Sequence, residues 1–381
     1  MYFVEKTKGT NFIKQFDYLL FLSVILLSTI GIVVLDSATN TMTLAEHSRY
    51  MNTQALSLII GVSVALIICV IDYKYYIKPI GILFYLTCVV LLVIVLFKGM
   101  GYSSGGSSSW LRVPIVGSFQ PSELAKIAFI VFISIFFERI KEGQAKKNVF
   151  KLIFYSILPI GLVIAQLDFG TAMVYIFIFF MLIFICGIKY RYIFMTMGAA
   201  LITAPFFWFF VLNEKRKARV LEFISPGSDQ LGSSYQLNRA EMAIGSGQIY
   251  GSGLYKGIQT QNGGVPVKES DFIFTVIGEE LGFIGAMVVI VLIFCILLRC
   301  IYIAKNSRDY YGAFLVIGLS SMFGFHFMEN IGMCVRILPV TGIPLPFVSA
   351  GGSAMITNYI ALGIILSVSI RRRKTIFNSS Q

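Results

Sequence analysis

The chain has 381 residues, of which 57% are hydrophobic and 13% charged, and its mean hydropathy is +0.81. No soluble fold encloses that much apolar surface, so the sequence is that of an integral membrane protein. The formal net charge of +12 suggests nucleic acid as a partner, but the placement of the basic residues excludes that reading.

A helical span needs roughly 20 apolar residues. About ten such segments follow one another at 17–35, 53–71, 78–97, 121–137, 151–166, 170–187, 193–212, 272–298, 310–330 and 350–370, with 151–166 the shortest and weakest. The first lacks a small-residue cleavage site after it and reads as a retained helix. With the N-terminus inside, Lys6, Lys8, Lys14, Lys74, Lys78, Arg139, Lys141, Lys146, Lys147, Lys151, Lys189, Arg191, Arg299, Lys305, Arg308 and Arg371 to Lys374 are all cytoplasmic. Only Arg49, Lys98, Arg112 and Arg336 remain in short outside loops. This asymmetry orients the chain with both termini in the cytoplasm and accounts for its basic excess. The fold expected is an all-α integral membrane protein, residues 1–381 forming one polytopic domain.

Three outer loops are long enough to matter. Residues 98–120 are rich in glycine and serine before Pro121, and residues 331–349 carry the proline-rich run Leu338-Pro-Val-Thr-Gly-Ile-Pro-Leu-Pro-Phe347. Residues 213–270, between the seventh and eighth spans, exceed any ordinary connection, which marks the segment as functional or disordered. Irregular backbone at membrane depth is tolerated only where it is buried in protein or lines a cavity. The glycines of Gly245-Ser-Gly-Gln-Ile-Tyr-Gly251-Ser-Gly253 miss the spacing of a phosphate cradle and follow no strand, so they read as tight turns. The cysteines Cys69, Cys88, Cys186, Cys295, Cys300 and Cys334 are scattered without a C-x-x-C pair, and His47 and His326 are isolated. Neither a disulfide framework nor a His-rich metal cluster follows, and His326 reads as a hydrogen-bonded helix residue.

Polar residues near the outer ends of the spans are the candidate site. Asp271 opens an apolar run at the point where the largest loop re-enters the bilayer, and a carboxylate there is a functional candidate by default. Its plain alternative is a helix N-cap. Glu123 and Lys126 lie i, i+3 on one helix face, as a functional pair or a buried structural one. Asp168 sits in a short turn and either reaches the site or caps the sixth span. Arg219 lies beside the seventh span, and Glu279 about two helical turns beyond Asp271.

Several stretches resemble the SEDS proteins (shape, elongation, division and sporulation). They are Phe119-Gln-Pro-Ser-Glu-Leu-Ala-Lys126, Gln166-Leu-Asp-Phe-Gly-Thr-Ala172, Tyr235-Gln through Ala243-Ile-Gly-Ser-Gly247, Ser270-Asp-Phe-Ile-Phe274 with Gly278-Glu-Glu-Leu-Gly282, and the proline-rich run with Gly351-Gly-Ser353. They occur in the family's order, and the Gly-Ile-Pro-Leu-Pro-Phe run with Gln259-Thr-Gln261 is closer to the RodA type than to FtsW or SpoVE. The resemblance implies a peptidoglycan glycosyltransferase that polymerises lipid II at the outer face of the bacterial cytoplasmic membrane, beside a class B penicillin-binding protein. It makes Asp271 the essential aspartate and gathers Trp110, Glu123, Lys126, Asp168, Arg219 and Glu279 as a substrate-binding set. The sequence departs from the family at Glu269-Ser270, where His-Thr is usual, at Leu167 for proline, and at Ala350 for an aromatic residue. Glu269 places a second acid near Asp271, able to raise its pKa or to form a metal-friendly pair.

The chemistry implied is removal of a proton from an acceptor hydroxyl while a diphosphate leaves the anomeric carbon. Asp271 suits the base. Arg219, Lys126 or a divalent cation such as Mg or Mn could balance the leaving group, although the sequence itself requires no cofactor. Trp110 suits a sugar or lipid contact, or a simple interfacial anchor. A lipid II transporter and a non-catalytic scaffold for the penicillin-binding protein are the alternatives. The transporter reading lacks an inverted repeat and a midplane charge cluster.

Overall fold

The computed structural model describes residues 12–99, 109–113, 117–187, 198, 217 and 233–372. It is all-helical apart from a short hairpin that pairs Leu111–Val113 with Gly117–Phe119. After the short helix α1 (Phe12–Gln15) come α2 (Tyr18–Thr39), α3 (Leu44–Val70), α4 (Lys78–Lys98), α5 (Pro121–Lys141), α6 (Ala145–Ala165) and α7 (Phe169–Cys186). The long loop contributes α8 (Ser233–Ser246) and α9 (Ile258–Gln261). The chain then continues through α10 (Ile273–Val276), α11 (Gly282–Lys305), α12 (Tyr310–Cys334) and α13 (Gly352–Ile370).

Among the described residues, eight helices are long and apolar enough to cross a membrane, with a five-residue π turn fused to the start of α4 and another joining α10 to α11. The expected span 193–212 lies outside the described residues. Helix α5 carries five charges yet is among the most enclosed helices, with 16 of its 21 residues buried. Glu123, Lys126 and Glu138 are therefore buried in protein rather than facing lipid, while Arg139 and Lys141 are exposed in the last turn. The stretch that read as weakest, 151–166, is a full helix of 21 residues from Ala145. Its sequence signal is diluted by polar residues in the first turn and by Pro159. Proline removes the amide that would bind the carbonyl four residues back, that of Tyr155. The hydroxyl of Tyr85 on α4 donates to that carbonyl instead, at 2.7 Å, so the break costs no unsatisfied group.

Helix α3 also starts earlier than hydropathy suggests. Thr43 and Glu46 form a reciprocal capping box that carries the helix beyond its apolar stretch. Small residues then let α3 and α13 pack closely. A Cβ on Gly363 would lie 2.8 Å from the Ala65 carbonyl, and one on Gly61 would meet the Tyr359 ring at the same distance. Close approach through small residues is how helices associate where the surroundings are as apolar as their own side chains. At the end of the bundle carrying both termini, Asp17 caps α2 and accepts from Arg299 at 2.7 Å and from Arg372 at 3.4 Å.

The long loop, read as functional or disordered, is folded throughout 233–270. Leu237, Ala240 and Ala243 of α8 point inward at helical spacing. The glycine run is the loop's docking strip. A π turn leaves backbone groups without helical partners, and here the loop supplies them. Ser252 N and Gly253 N donate to the Glu279 and Glu280 carbonyls, both at 3.0 Å. Phe283 N and Ile284 N donate back to the Gln248 and Ile249 carbonyls. The approach needs glycine, because a Cβ on Gly247 would lie 1.9 Å from the Gly278 carbonyl and one on Gly251 2.2 Å from that of Glu280. The tight-turn reading holds, and the turns have a specific counterpart.

Candidate active site

Asp271 sits in the turn that leads from the loop into α10. The N-cap position of that helix is Phe272 rather than Asp271, and it makes no side-chain cap bond. Its carboxylate accepts from Ser270 Oγ at 3.0 Å. Its main chain is fixed by Asn330 of α12, whose amide donates at 2.8 Å both to the Asp271 carbonyl and to that of Ile343. Ser349 Oγ donates to the Ser270 carbonyl at 2.6 Å, and Ala350 N donates to the Glu269 carbonyl at 2.9 Å. The proline-rich loop thus grips the turn along its length. Gly342, with φ 75°, gives the carboxylate its room, since a Cβ there would lie 3.1 Å from Asp271 Oδ2.

The same loop runs on to the buried cation. Lys126 Nζ lies 2.7 Å from Glu123 Oε1 and 2.8 Å from His326 Nε2. Lys126 is 1% exposed and Glu123 5%. An ammonium only donates, so His326 accepts at Nε2 and carries its proton on Nδ1. Glu123 and His326 line a small cavity closed by Pro344, Leu345, Pro346, Phe347 and Ser349, with Asn358 on its far wall. Phe347 is buried at φ 67°, a strained conformation for a bulky residue, wedged against Phe323 and Tyr359. Strain of this kind persists only where the surroundings over-determine it. Here both rings and the loop's bonds to Ser349 do so.

Asp168 is an N-cap that also reaches the neighbouring segment. It caps α7, accepting from Thr171 N at 3.1 Å, and its second oxygen accepts from Gln120 Nε2 at 3.0 Å. Burial raises its pKa, while the bonds from Thr171 and the charge of Lys126 oppose the shift. Gln120 also donates to Ser109 Oγ at 3.5 Å, which brings the segment carrying Trp110 to the same rim. Trp110 itself is 39% exposed. Thr341 and Ile343 pack on Gly170 at the start of α7. One loop therefore touches the surroundings of Asp271, of Asp168, and of the Glu123–Lys126 pair.

Glu279 does not join them. The π turn adds a residue to the winding, which alters the facing expected from a regular helix. The side chain turns to the long loop, where it accepts from Gln259 N at 2.7 Å, Thr260 N at 2.8 Å and Thr260 Oγ1 at 2.6 Å. Arg219 lies outside the described residues. The sequence reading passed over Asn330, Gly342 and Lys268. Each looks ordinary in its own segment, and only the return of the proline-rich loop gives the first two their role. Among the described residues, no three His, Cys, Asp or Glu side chains converge to hold a metal ion.

Comparison with known proteins agrees with this architecture. A family model described as a cell cycle protein, FtsW/RodA/SpoVE, matches residues 17–374. A probable peptidoglycan glycosyltransferase FtsW of Geobacter metallireducens is 32% identical over 95% of this chain and 97% of its own. The peptidoglycan glycosyltransferase MrdB of Escherichia coli is 35% identical over 76% of this chain and 77% of its own. Among solved structures, a chain of a peptidoglycan synthase complex superposes with TM-score 0.77 at 24% identity, covering 93% of this chain and 97% of that one. The Thermus thermophilus rod shape determining protein RodA gives 0.68 at 24% identity, covering 94% and 98%. The chain belongs to the FtsW/RodA/SpoVE family of multi-pass membrane proteins.

Proposed function

We propose that this protein is a peptidoglycan glycosyltransferase that polymerises lipid II, with Asp271 as general base. The observation that carries the reading is the seating of Asp271. A half-buried aspartate just ahead of α10 has its main chain fixed by Asn330 of α12, and its turn is held by Ser349 of the proline-rich loop. In the reaction, the acceptor hydroxyl loses its proton to Asp271 as its oxygen bonds to the anomeric carbon of the growing chain. The bond from that carbon to the diphosphate breaks, and the electron pair leaves with the lipid carrier.

Lys126 already has two partners, so its contribution is a fixed positive field rather than a direct phosphate contact. Arg219 remains the candidate for that contact. Glu279 serves by holding the loop. Trp110, at the rim with Asp168, suits a sugar or lipid face. A divalent cation of the Mg or Mn type keeps much of its water and binds through one or two carboxylates plus substrate phosphates. Among the described residues no three His, Cys, Asp or Glu side chains converge on such an ion, so it would be held mainly by the substrate diphosphate.

The partner we propose is a class B penicillin-binding protein, a reading supported by the likeness to a chain of a peptidoglycan synthase complex that coordinates polymerization with crosslinking. The test is reconstitution with labelled lipid II, with and without that partner. Glycan polymer is expected, at a rate the partner raises. Accumulation of translocated lipid in sealed vesicles without polymer would favour transport instead, and no activity of either kind would favour a scaffold.

The site belongs on the outer face of the cytoplasmic membrane, with both termini inside. A cysteine placed at the exposed Gln248 is expected to react with an impermeant thiol reagent in intact cells, and one at the exposed Gln144 is not. Labelling of Gln144→Cys would invert the orientation and place the site on the wrong side for wall synthesis.

A further inference from the structure

Four residues before Asp271 the backbone takes an unusual course. Val267 has φ 53°, in the left-handed region where a β-branched residue is a genuine outlier. Its side chain is 43% exposed, so its own packing does not hold it there. The turn is closed instead by the Val267 carbonyl, which accepts from Ser270 N at 3.2 Å and Phe272 N at 3.3 Å.

The next residue is driven inward. Lys268 is 5% exposed, and its ammonium donates to Thr41 Oγ1 at 3.1 Å and to the Thr260 carbonyl. It forms no ion pair among the described residues. Burial draws its pKa down, and Glu269, Glu280 and Glu279 work against that. Thr260 is itself clamped by Glu279, while Gln261 donates to Glu280 at 2.9 Å and Ser37 donates to Glu280 at 2.6 Å. Through Lys268 the Asp271 turn is thus tied to α9 and to the α2–α3 connection. A buried cation with only neutral partners is an expensive way to secure a loop. Its location beside a strained turn and the proposed base gives it a use.

We infer that Lys268 is a positioning residue for the transfer reaction, holding the strained Val267 turn so that the Asp271 carboxylate stays beside Gly342. The inference rests on Asp271 being the base. A misplacement of a reacting group by about 1 Å can cost on the order of 10²-fold in rate, so the cost of this device is proportionate to what it protects.

The test is Lys268→Met in the full chain with its partner. Methionine fills the space of the lysine stem and strands no directly paired carboxylate, since Glu279 and Glu280 keep their bonds from Thr260, Gln261 and Ser37, so the fold should survive. The expected result is a kcat lower by on the order of 10–100-fold, with KM for lipid II, thermal midpoint and partner binding unchanged. Thr41→Val, which removes one of the two acceptors, should lower kcat less and in the same direction. Unchanged kcat would overturn the inference. So would a raised KM at constant kcat, which would mean direct substrate contact, or activity lost together with folding, which would mean a structural role alone. Asp271→Asn run alongside separates the two readings. If it polymerises normally, the base assignment fails. If it is inactive while Lys268→Met is normal, only the role of Lys268 falls.

Discussion

Asp271→Asn is expected to give a folded, membrane-inserted protein that makes almost no glycan. Asparagine keeps the size of the side chain and an oxygen able to accept the bond from Ser270 Oγ, and the main-chain carbonyl still accepts from Asn330. The N-cap position of α10 is Phe272, not Asp271, and asparagine caps about as well as aspartate in any case. What disappears is a proton acceptor, and losing a general base typically costs on the order of 10²–10⁴-fold in rate. The measurement is polymer yield from lipid II at equal protein level, beside thermal unfolding in detergent. Near-normal polymer from a well-folded variant would remove Asp271 as the base and return the transport reading to first place.

The second large effect is on stability. Lys126→Met leaves Glu123 buried and bereft of its partner, and breaking a buried pair from one side costs about 3–5 kcal/mol. His326 loses its donor as well. The variant is expected to unfold at a much lower temperature or to fail to accumulate in the membrane. Combining it with Glu123→Gln removes the stranded charge, and much of the stability should return. Failure of the double variant to recover would mean that the Lys126–His326 bond, rather than the ion pair, is the main support. Recovery of stability without recovery of polymerisation would separate the field of Lys126 from its structural role.

Much of this was legible in the sequence, for physical reasons that also explain the omissions. Hydropathy finds spans because a helix facing lipid must be apolar over its whole length, and the segments that became α2, α4, α7, α11 and α12 stand out on that ground. Helix α5 was legible too, although it answers to a different rule. It is surrounded by protein, so Glu123 and Lys126 inside it are satisfied by each other and by His326. The i, i+3 spacing revealed the first bond, and no local pattern could reveal the second, which joins residues 200 positions apart. Asp271 was found because a lone acid entering an apolar run is conspicuous. Lys268 was missed because a lysine in a polar loop looks solvated, and its burial depends on the left-handed backbone at Val267. The partners of Glu279 lie on the long loop about 20 positions away, and composition announces neither them nor the π turn that carries it.

The exchange of backbone bonds between the glycine strip and the π turn has a mechanical consequence. A membrane helix normally keeps all its hydrogen bonds to itself, which lets it tilt or slide as an independent rod. The helix made of α10 and α11 has given two carbonyls and two amides to a loop outside it. A pull or push on residues 247–253 therefore acts directly on the backbone of the span, eight residues from Asp271 at its nearest reach. A protein that leaned on this loop would hold a lever whose short arm ends at the carboxylate.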